Sequence, residues 1–175
     1  MLARLLERDA LLSKKLRVAE QPGMVRTLAR IFAHSGDSWY WLVGLALVWG
    51  IGSPLWKSRT LLMGISIIVT AVFVLVIKFS VRRRRPAGEW GEIYRKTDPH
   101  SFPSGHAARA FLLAVVSLGT GPVWLAVILV IWAPLVALAR VAMGVHYVSD
   151  ILAGILLGIL LGVVMLLAAS PLQLI

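Results

Sequence analysis

The sequence predicts an all-α fold, a polytopic membrane helix bundle of about five transmembrane helices preceded by amphipathic interfacial helices. Three observations predict it. Of 175 residues, 59% are hydrophobic and only 15% charged, too apolar a balance for a soluble globular domain. The apolar residues gather into five runs, at 39–54, 61–79, 105–118, 124–142 and 148–169, parted by short polar stretches. The length suits one compact domain, so 1–175 is read as a single membrane domain, with 1–38 interfacial and 39–175 forming the bundle.

Residues 1–38 interleave Leu2, Leu5, Leu6, Leu11, Leu12, Leu16, Leu28 and Ile31 with Arg4, Arg8, Lys14, Lys15, Arg17, Arg26 and Arg30. This pattern predicts amphipathic helices lying in the interface and broken near Pro22 and Gly23; a partly disordered basic tail is the alternative. The first 30 residues are charged throughout and hold no continuous apolar core of the kind a signal peptide needs, so the first span is expected to serve as its own insertion signal. The second, fourth and fifth runs can cross a core of ~30 Å as helices. The first and third are short. They are counted as spans because a helix of roughly 17 residues suffices where the bilayer thins, and because Trp39, Tyr40 and Trp41 read as an interfacial belt. In the fifth run Gly154, Gly158 and Gly162 recur every four residues and let another helix approach closely. Packing within the bundle is the expected use, and a homodimer seam the alternative. With no cysteine, there is no disulfide framework or thiolate metal site.

Five spans in up-and-down order assign every loop to a side. Let face A carry the N-terminus. Then 78–85, 103–106 and 139–150 all meet on face A, although they are far apart in sequence. The charges agree: of 18 lysines and arginines only Lys57 and Arg59 fall on face B, and all eight acidic residues fall on face A.

Each of these stretches has a bland reading and a chemical one. Lys78, Arg82 and Arg85 at i, i+4 and i+7 would form one cationic stripe if the second span continues as helix to Pro86; alone, such a cluster usually grips lipid headgroups. In "SFPSGH", Ser104 can cap a helix whose first N–H groups, from Gly105 onward, cradle an anion, with His106 placed to act as an acid; alone, it could be an ordinary turn. Arg109 is a charge inside an apolar span and is expected to face a polar cavity or to snorkel. His146 and Asp150 at i and i+4 let the carboxylate hold one imidazole nitrogen and leave the other nucleophilic; an isolated pair of this kind is more often a surface hydrogen bond or a pair of metal ligands. Gly144 would break the helix and turn Arg140 toward the same point. A metal is disfavoured, because Lys78, Arg82, Arg85 and Arg140 on the same rim would repel a divalent cation. An excess of arginine with two histidines and one carboxylate suits a trigonal-bipyramidal phosphoryl group instead, with no cofactor.

Together "KFSVRRRRP" (Lys78, Arg85, Pro86), "PSGH" and "RVAMGVHYVSD" (Arg140, His146, Asp150) resemble the three-part signature KxxxxxxRP, PSGH and RxxxxxHxxxD of the type 2 phosphatidic acid phosphatase (PAP2) superfamily, in order and spacing. The resemblance implies a phosphate pocket of Lys78, Arg85, Ser104, Gly105 and Arg140. It implies that His146 attacks phosphorus to give a phosphohistidine, that Asp150 orients it, and that His106 protonates the leaving oxygen and then activates water, all without metal. Two departures stand out. Ala139 occupies a place where the family usually has Ser, and the chain has five expected spans where membrane members commonly have six.

The function expected is a metal-independent phosphatase for a phosphomonoester or diphosphate of a membrane lipid: phosphatidic acid, phosphatidylglycerol phosphate or a polyprenyl phosphate or diphosphate. The alternatives are a non-catalytic protein that binds anionic lipid on the same rim and, less favoured, halide oxidation by bound vanadate. The loop 87–102, with Trp90, Tyr94, Arg95 and His100, is expected to lid the pocket. The expected partners are the lipid substrate and the bilayer. No nucleic-acid motif is present, and the basic balance is explained by the rim and by anionic headgroups. The resemblance implies a periplasmic site in a multi-pass membrane protein, whereas the charge count over face A points to the cytoplasm.

Overall fold

The computed structural model describes residues 1–88, 90 and 98–170, apart from the side chains of Leu2 and Ala3. Among the described residues there are seven helices: α1 (Leu2–Lys15), α2 (Met24–Ser35), α3 (Ser38–Ile51), α4 (Pro54–Val81), α5 (Gly105–Thr120), α6 (Val123–Ala142) and α7 (Val148–Ala169). By length and apolarity α4, α6 and α7 can each cross a bilayer, and α3 and α5 are shorter apolar helices. The protein is a multi-pass membrane protein.

The shortness of α5 has a packing reason. It is the central helix, flanked by α4, α6 and α7, and ten of its sixteen residues are buried. Leu112, Leu113 and Val116 meet Ile67 of α4, Val136 of α6 and Leu161 of α7 in the main core. A helix surrounded by protein need not match the hydrocarbon thickness, because its neighbours rather than lipid cover it; at its N-terminus the Ser104 N–H meets the Asp150 carbonyl. The outer helices do match it, and their outward faces are apolar: Ile68 and Val72 on α4, Ile131 and Leu138 on α6, and Leu156 and Leu160 on α7 are all exposed.

The glycine stripe of α7 is used inside the chain. A Cβ at Gly154 would sit 2.5 Å from the Ser104 carbonyl oxygen, and one at Gly162 would sit 2.8 Å from Val115 Cβ. Gly158 lies against the Ala108 backbone. In lipid, where apolar helices gain little from leaving solvent, such close backbone approach supplies the packing that joins them. The stripe is therefore covered by α5, which removes it as a dimer seam.

The N-terminal segment is helical and docked. Leu5, Leu6, Leu11, Leu12 and Leu16 of α1 and its C-terminal flank are exposed, as are Leu28 and Ile31 of α2, while Ala29 and Ala33 pack on Ala139, Met143 and Val145. The chain breaks between α1 and α2 at Gly23, whose φ of 155° is in a range that favours glycine. Of the three aromatic residues opening α3, Trp39 and Tyr40 are exposed and stack at 3.6 Å, but Trp41 turns inward and donates from Nε1 to the Ser35 carbonyl at 3.0 Å. On the opposite face Trp56 and Trp124 pair at 6.4 Å, with Arg59 over Trp56, a second aromatic and cationic belt. An apolar cavity of about 930 Å³ opens between α3, α4 and α6, lined by Trp41, Leu45, Val48, Met63, Trp124 and Leu129.

Candidate active site

The first cationic stretch does not continue α4 to Pro86. The helix ends at Val81, and Arg82 takes the left-handed conformation (φ 52°), with its N–H on the Lys78 carbonyl and its Nε on the Phe79 carbonyl at 2.8 Å. This corrects the expected stripe. Arg82 is exposed and points away from the cluster, because the left-handed residue reverses the chain before another helical turn can form. The extended residues that follow carry Arg83 and Arg85 inward instead. Arg84 bridges to His100, and the Ser101 N–H donates to the Arg83 carbonyl at 2.8 Å.

Ser104 caps α5, its Oγ accepting from the Ala107 N–H at 3.4 Å, and its own N–H donates to the Asp150 carbonyl at 3.0 Å. The second stretch is thus tied to the third by backbone. Gly105 is the first helical residue and His106 the second. The Nε2 of His106 lies 2.6 Å from Asp37 Oδ1.

In the third stretch α6 ends at Ala142, and Gly144 at φ 66° makes the turn that a residue with a Cβ would resist. The Val145 N–H returns to the Arg140 carbonyl at 3.2 Å, which places His146 beneath Arg140's helix end. Asp150, at the third position of α7, accepts from the Tyr147 N–H at 2.9 Å and faces back toward the turn. His146 Nδ1 is 3.5 Å from Asp150 Oδ2, and His146 Nε2 is 3.2 Å from Arg85 Nη1. A guanidinium can only donate, so Nε2 carries the lone pair and Nδ1 the proton, directed at the carboxylate. The Nδ1 contact is long, as such bonds often are before substrate binds. Burial pushes His146 down to about 3, and the charges of Arg85 and Arg140 act in the same direction against the pull of Asp150. The imidazole is therefore neutral at physiological pH, with the lone pair of Nε2 facing the Arg85 guanidinium.

Arg83 joins this group. It donates from Nη1 to Asp150 Oδ1 at 2.6 Å and from Nη2 to Asp9 Oδ2 at 2.8 Å, and its guanidinium lies 4.0 Å from the centre of the Tyr147 ring. Asp9 and Ser13 of α1 also accept from the N–H groups of Ser149 and Val148, at 3.1 and 3.0 Å, so α1 caps α7 from outside.

Lys78, Arg85 and Arg140 are all buried, with exposures of 4%, 3% and 1% for side chains that carry charge. Such burial needs anionic or carbonyl partners. Arg85 donates to the Val145 carbonyl at 2.9 Å and to Asp98 twice, from Nη2 to Oδ2 and from Nε to the carbonyl, both at 2.7 Å. Lys78 pairs with the same Asp98 carboxylate. Burial alone would raise the Asp98 carboxyl, but the bond from Lys78 and the charges of Lys78 and Arg85 outweigh it and hold the group below its ordinary range. Arg140 Nη1 lies 3.5 Å from the Ala33 carbonyl, and its charge reaches His106 and His146. Arg109 does not snorkel: it is buried and donates from Nε and Nη2 to the Gly36 carbonyl at 3.0 and 2.6 Å.

The structure thus gathers Lys78, Arg85, Ser104, Gly105, His106, Arg140, His146 and Asp150 on one rim of the bundle. Residues 59–173 match the family model described as the PAP2 superfamily. The chain belongs to the PAP2 superfamily. It is 34% identical over 140 residues to decaprenylphosphoryl-5-phosphoribose phosphatase of Mycobacterium tuberculosis (strain CDC 1551 / Oshkosh), covering 79% of this chain and 76% of the relative. Its fold is similar to that of the transmembrane PAP2 type phosphatidylglycerolphosphate phosphatase from Bacillus subtilis, with a TM-score of 0.74, 25% identity, and coverage of 93% of this chain and 84% of that one. Aquifex aeolicus LpxE is similar as well, with a TM-score of 0.69, 25% identity, and coverage of 92% and 93%. This PAP2 protein is a phosphatase.

Four residues that the structure brings to this candidate site were invisible to sequence reasoning: Asp9, Asp37, Arg83 and Asp98. Arg83 stood in a run of four arginines whose individual directions depend on where α4 ends. The three aspartates are single carboxylates in polar segments, and only their face A placement offered a signal. Of the expected lid, Tyr94 and Arg95 lie outside the described residues.

Proposed function

We propose that this PAP2 protein hydrolyses a phosphomonoester or diphosphate carried by a membrane lipid, in two in-line steps that need no metal. The phosphoryl group takes the place of the Asp98 carboxylate between Lys78 and Arg85, with Arg140, the Ser104 hydroxyl and the Gly105 N–H completing the oxygen contacts. His146 Nε2 attacks phosphorus, forming a P–N bond as the P–O bond to the lipid breaks. His106 gives its proton to the departing oxygen. In the second step His106 takes a proton from water, the water oxygen bonds phosphorus, and the P–N bond breaks to release inorganic phosphate and restore His146. Asp150 holds Nδ1 throughout and steadies the charge that develops on the ring.

The observation that carries the reading is His146 itself: a buried neutral imidazole with Nδ1 directed at Asp150 and its lone pair 3.2 Å from the Arg85 guanidinium. A scaffold that only bound anionic headgroups would have no use for an oriented lone pair inside its cationic site. Relatives named as lipid phosphatases support the substrate class, and the mycobacterial relative favours a phosphate borne by a polyprenyl-linked group. The apolar cavity between α3, α4 and α6 is apart from the phosphate residues. Its rim-side lining by His34 and Ser35, next to Asp37, suits a lipid chain leading away from the headgroup. Residues 1–175 work as one unit, since α1 caps the helix that carries Asp150. The family resemblance supports a site that faces the periplasm, against the charge count over face A.

Purified protein in detergent tests this. Phosphate release from lipid phosphates is expected to resist EDTA, to be blocked by vanadate and to vanish in His146→Ala; retained turnover in that variant sinks the proposal. A panel varying headgroup and chain separately is expected to rank polyprenyl-linked monophosphates first. Labelling of a cysteine placed at position 90 in intact cells reports sidedness.

A further inference from the structure

We propose that Asp37 is a positioning residue for His106, giving the site a second histidine–carboxylate pair built from a different part of the chain. The inference rests on the reading of His106 as acid and base given above. Its geometry is independent of that reading. Asp37 Oδ1 lies 2.6 Å from His106 Nε2, and the other oxygen, Oδ2, lies 3.2 Å from His34 Nδ1. The contact joins the turn between α2 and α3 to the start of α5, across 69 positions of sequence.

The turn that presents Asp37 is held by donors from three helices. Arg109 of α5 spends both Nε and Nη2 on the Gly36 carbonyl. Trp41 of α3 donates to the Ser35 carbonyl at 3.0 Å, and Trp132 of α6 to the Ser35 hydroxyl at 2.9 Å. Gly36 lies against the imidazole: a Cβ there would be 3.2 Å from His106 Cδ2 and 2.9 Å from Val136 Cγ1. Arg109 also sits on the same helix as His106, one turn on, so ring and carboxylate are referenced to a single rigid element. Burying a guanidinium among apolar helices is costly unless its donors are met. Here both donors meet the one carbonyl that sets the turn.

The reaction gives this arrangement a purpose. With Nε2–H held by Asp37, the ring presents Nδ1 to the reacting oxygens. Once the anionic phosphoryl group is bound it favours the protonated ring; in the first step the Nδ1 proton passes to the leaving oxygen and the ring becomes neutral. In the second, water returns a proton to Nδ1 and the ring becomes an imidazolium beside the carboxylate. Asp37 takes no proton in either step; it fixes the ring plane and offsets the positive charge each time it forms.

The test separates proton donation from general damage. An alkyl leaving group, as in a lipid phosphomonoester, needs protonation, whereas a nitrophenolate does not. Asp37→Asn is expected to lower kcat on a lipid phosphomonoester ~10–100-fold with KM within about threefold, the size of loss a misdirected general acid produces. The nitrophenolate burst from p-nitrophenyl phosphate, which reports attack by His146, is expected to stay within about threefold. Asp37→Glu should recover part of the loss. On a His106→Ala background Asp37→Asn should cost less than about threefold further, since the two act as one unit. Equal losses on both leaving groups, multiplicative losses in the double variant, or an undiminished Asp37→Asn would each overturn the proposal. Turnover retained by His146→Ala would overturn the site reading instead, so the two failures are distinct.

Discussion

The two histidine–carboxylate pairs differ in almost every respect except their chemistry. His146 and Asp150 stand four residues apart on one turn and helix start, are 1% and 0% exposed at the side chain, and lie among cations. His106 comes from the start of α5 and Asp37 from the turn between α2 and α3; they are 17% and 23% exposed and meet beside a second imidazole, that of His34. Their carboxylates are engaged differently too. Asp150 answers to Arg83, the Tyr147 N–H and His146, and its pull on the imidazole is outweighed by burial and by the charges of Arg85 and Arg140, so the ring stays neutral. Among the described side-chain hydrogen bonds, Asp37 meets only the two imidazoles. In the proposed reaction a nucleophile must keep its lone pair, which the first pair provides, while the acid gains its proton affinity when the anionic phosphoryl group enters the site.

Breaking the first pair is expected to have the largest effect. His146→Ala should lower turnover of a lipid phosphate by at least about 10³-fold and abolish the acid-labile phosphoenzyme seen after quenching, because no other group can take up the phosphoryl. His106→Ala should leave the phosphoenzyme detectable and slow its hydrolysis; if it too abolishes the phosphoenzyme from an aryl phosphate, the division of labour is wrong. Arg83→Ala should come next, at about tenfold in kcat with little change in KM, because it frees Asp150 Oδ1 and removes one of the links between α1 and the site. Restoration by Arg83→Lys would be incomplete, as a lysine cannot bridge Asp9 and Asp150 with one planar fork.

Asp98→Asn sharpens the comparison from the substrate side. The carboxylate occupies Lys78 and Arg85 as a phosphate would, so removing its charge should lower the KM for lipid phosphate and the inhibition constant for vanadate about three- to tenfold. A raised KM would mean that Asp98 orients the cations rather than competing with substrate. The smallest effect is on stability. An unfolded chain protonates His146 below its ordinary 6.5, but the folded chain does so only near 3. Between those values the unfolded state binds more protons, so this residue makes stability rise with pH across that window. His146→Gln should therefore flatten the pH dependence of unfolding in detergent between about pH 4 and 6.5; an unchanged slope would place the His146 titration elsewhere.

Much of this was readable in one dimension. The spans followed from apolar runs, the up-and-down order placed three distant polar stretches on one rim, and the pair at 146 and 150 was legible because an i, i+4 spacing makes neighbours on a helix. The end of α4 was not. Whether Arg82 or Arg83 enters the site depends on one left-handed residue that apolar periodicity does not encode. Asp37 was harder still, since the turn bearing it is set by Arg109, Trp41 and Trp132 from three other helices.

The sequence by itself determined the membrane bundle, the face on which the chemistry collects and the residues of the local motifs, because spans and short helical spacings follow from backbone periodicity. Only the tertiary structure decided which arginine reaches Asp150, which carboxylate meets His106 and which fills the anion site. Those choices depend on how helix ends are packed against one another, and packing between segments distant in sequence leaves no periodic trace along the chain.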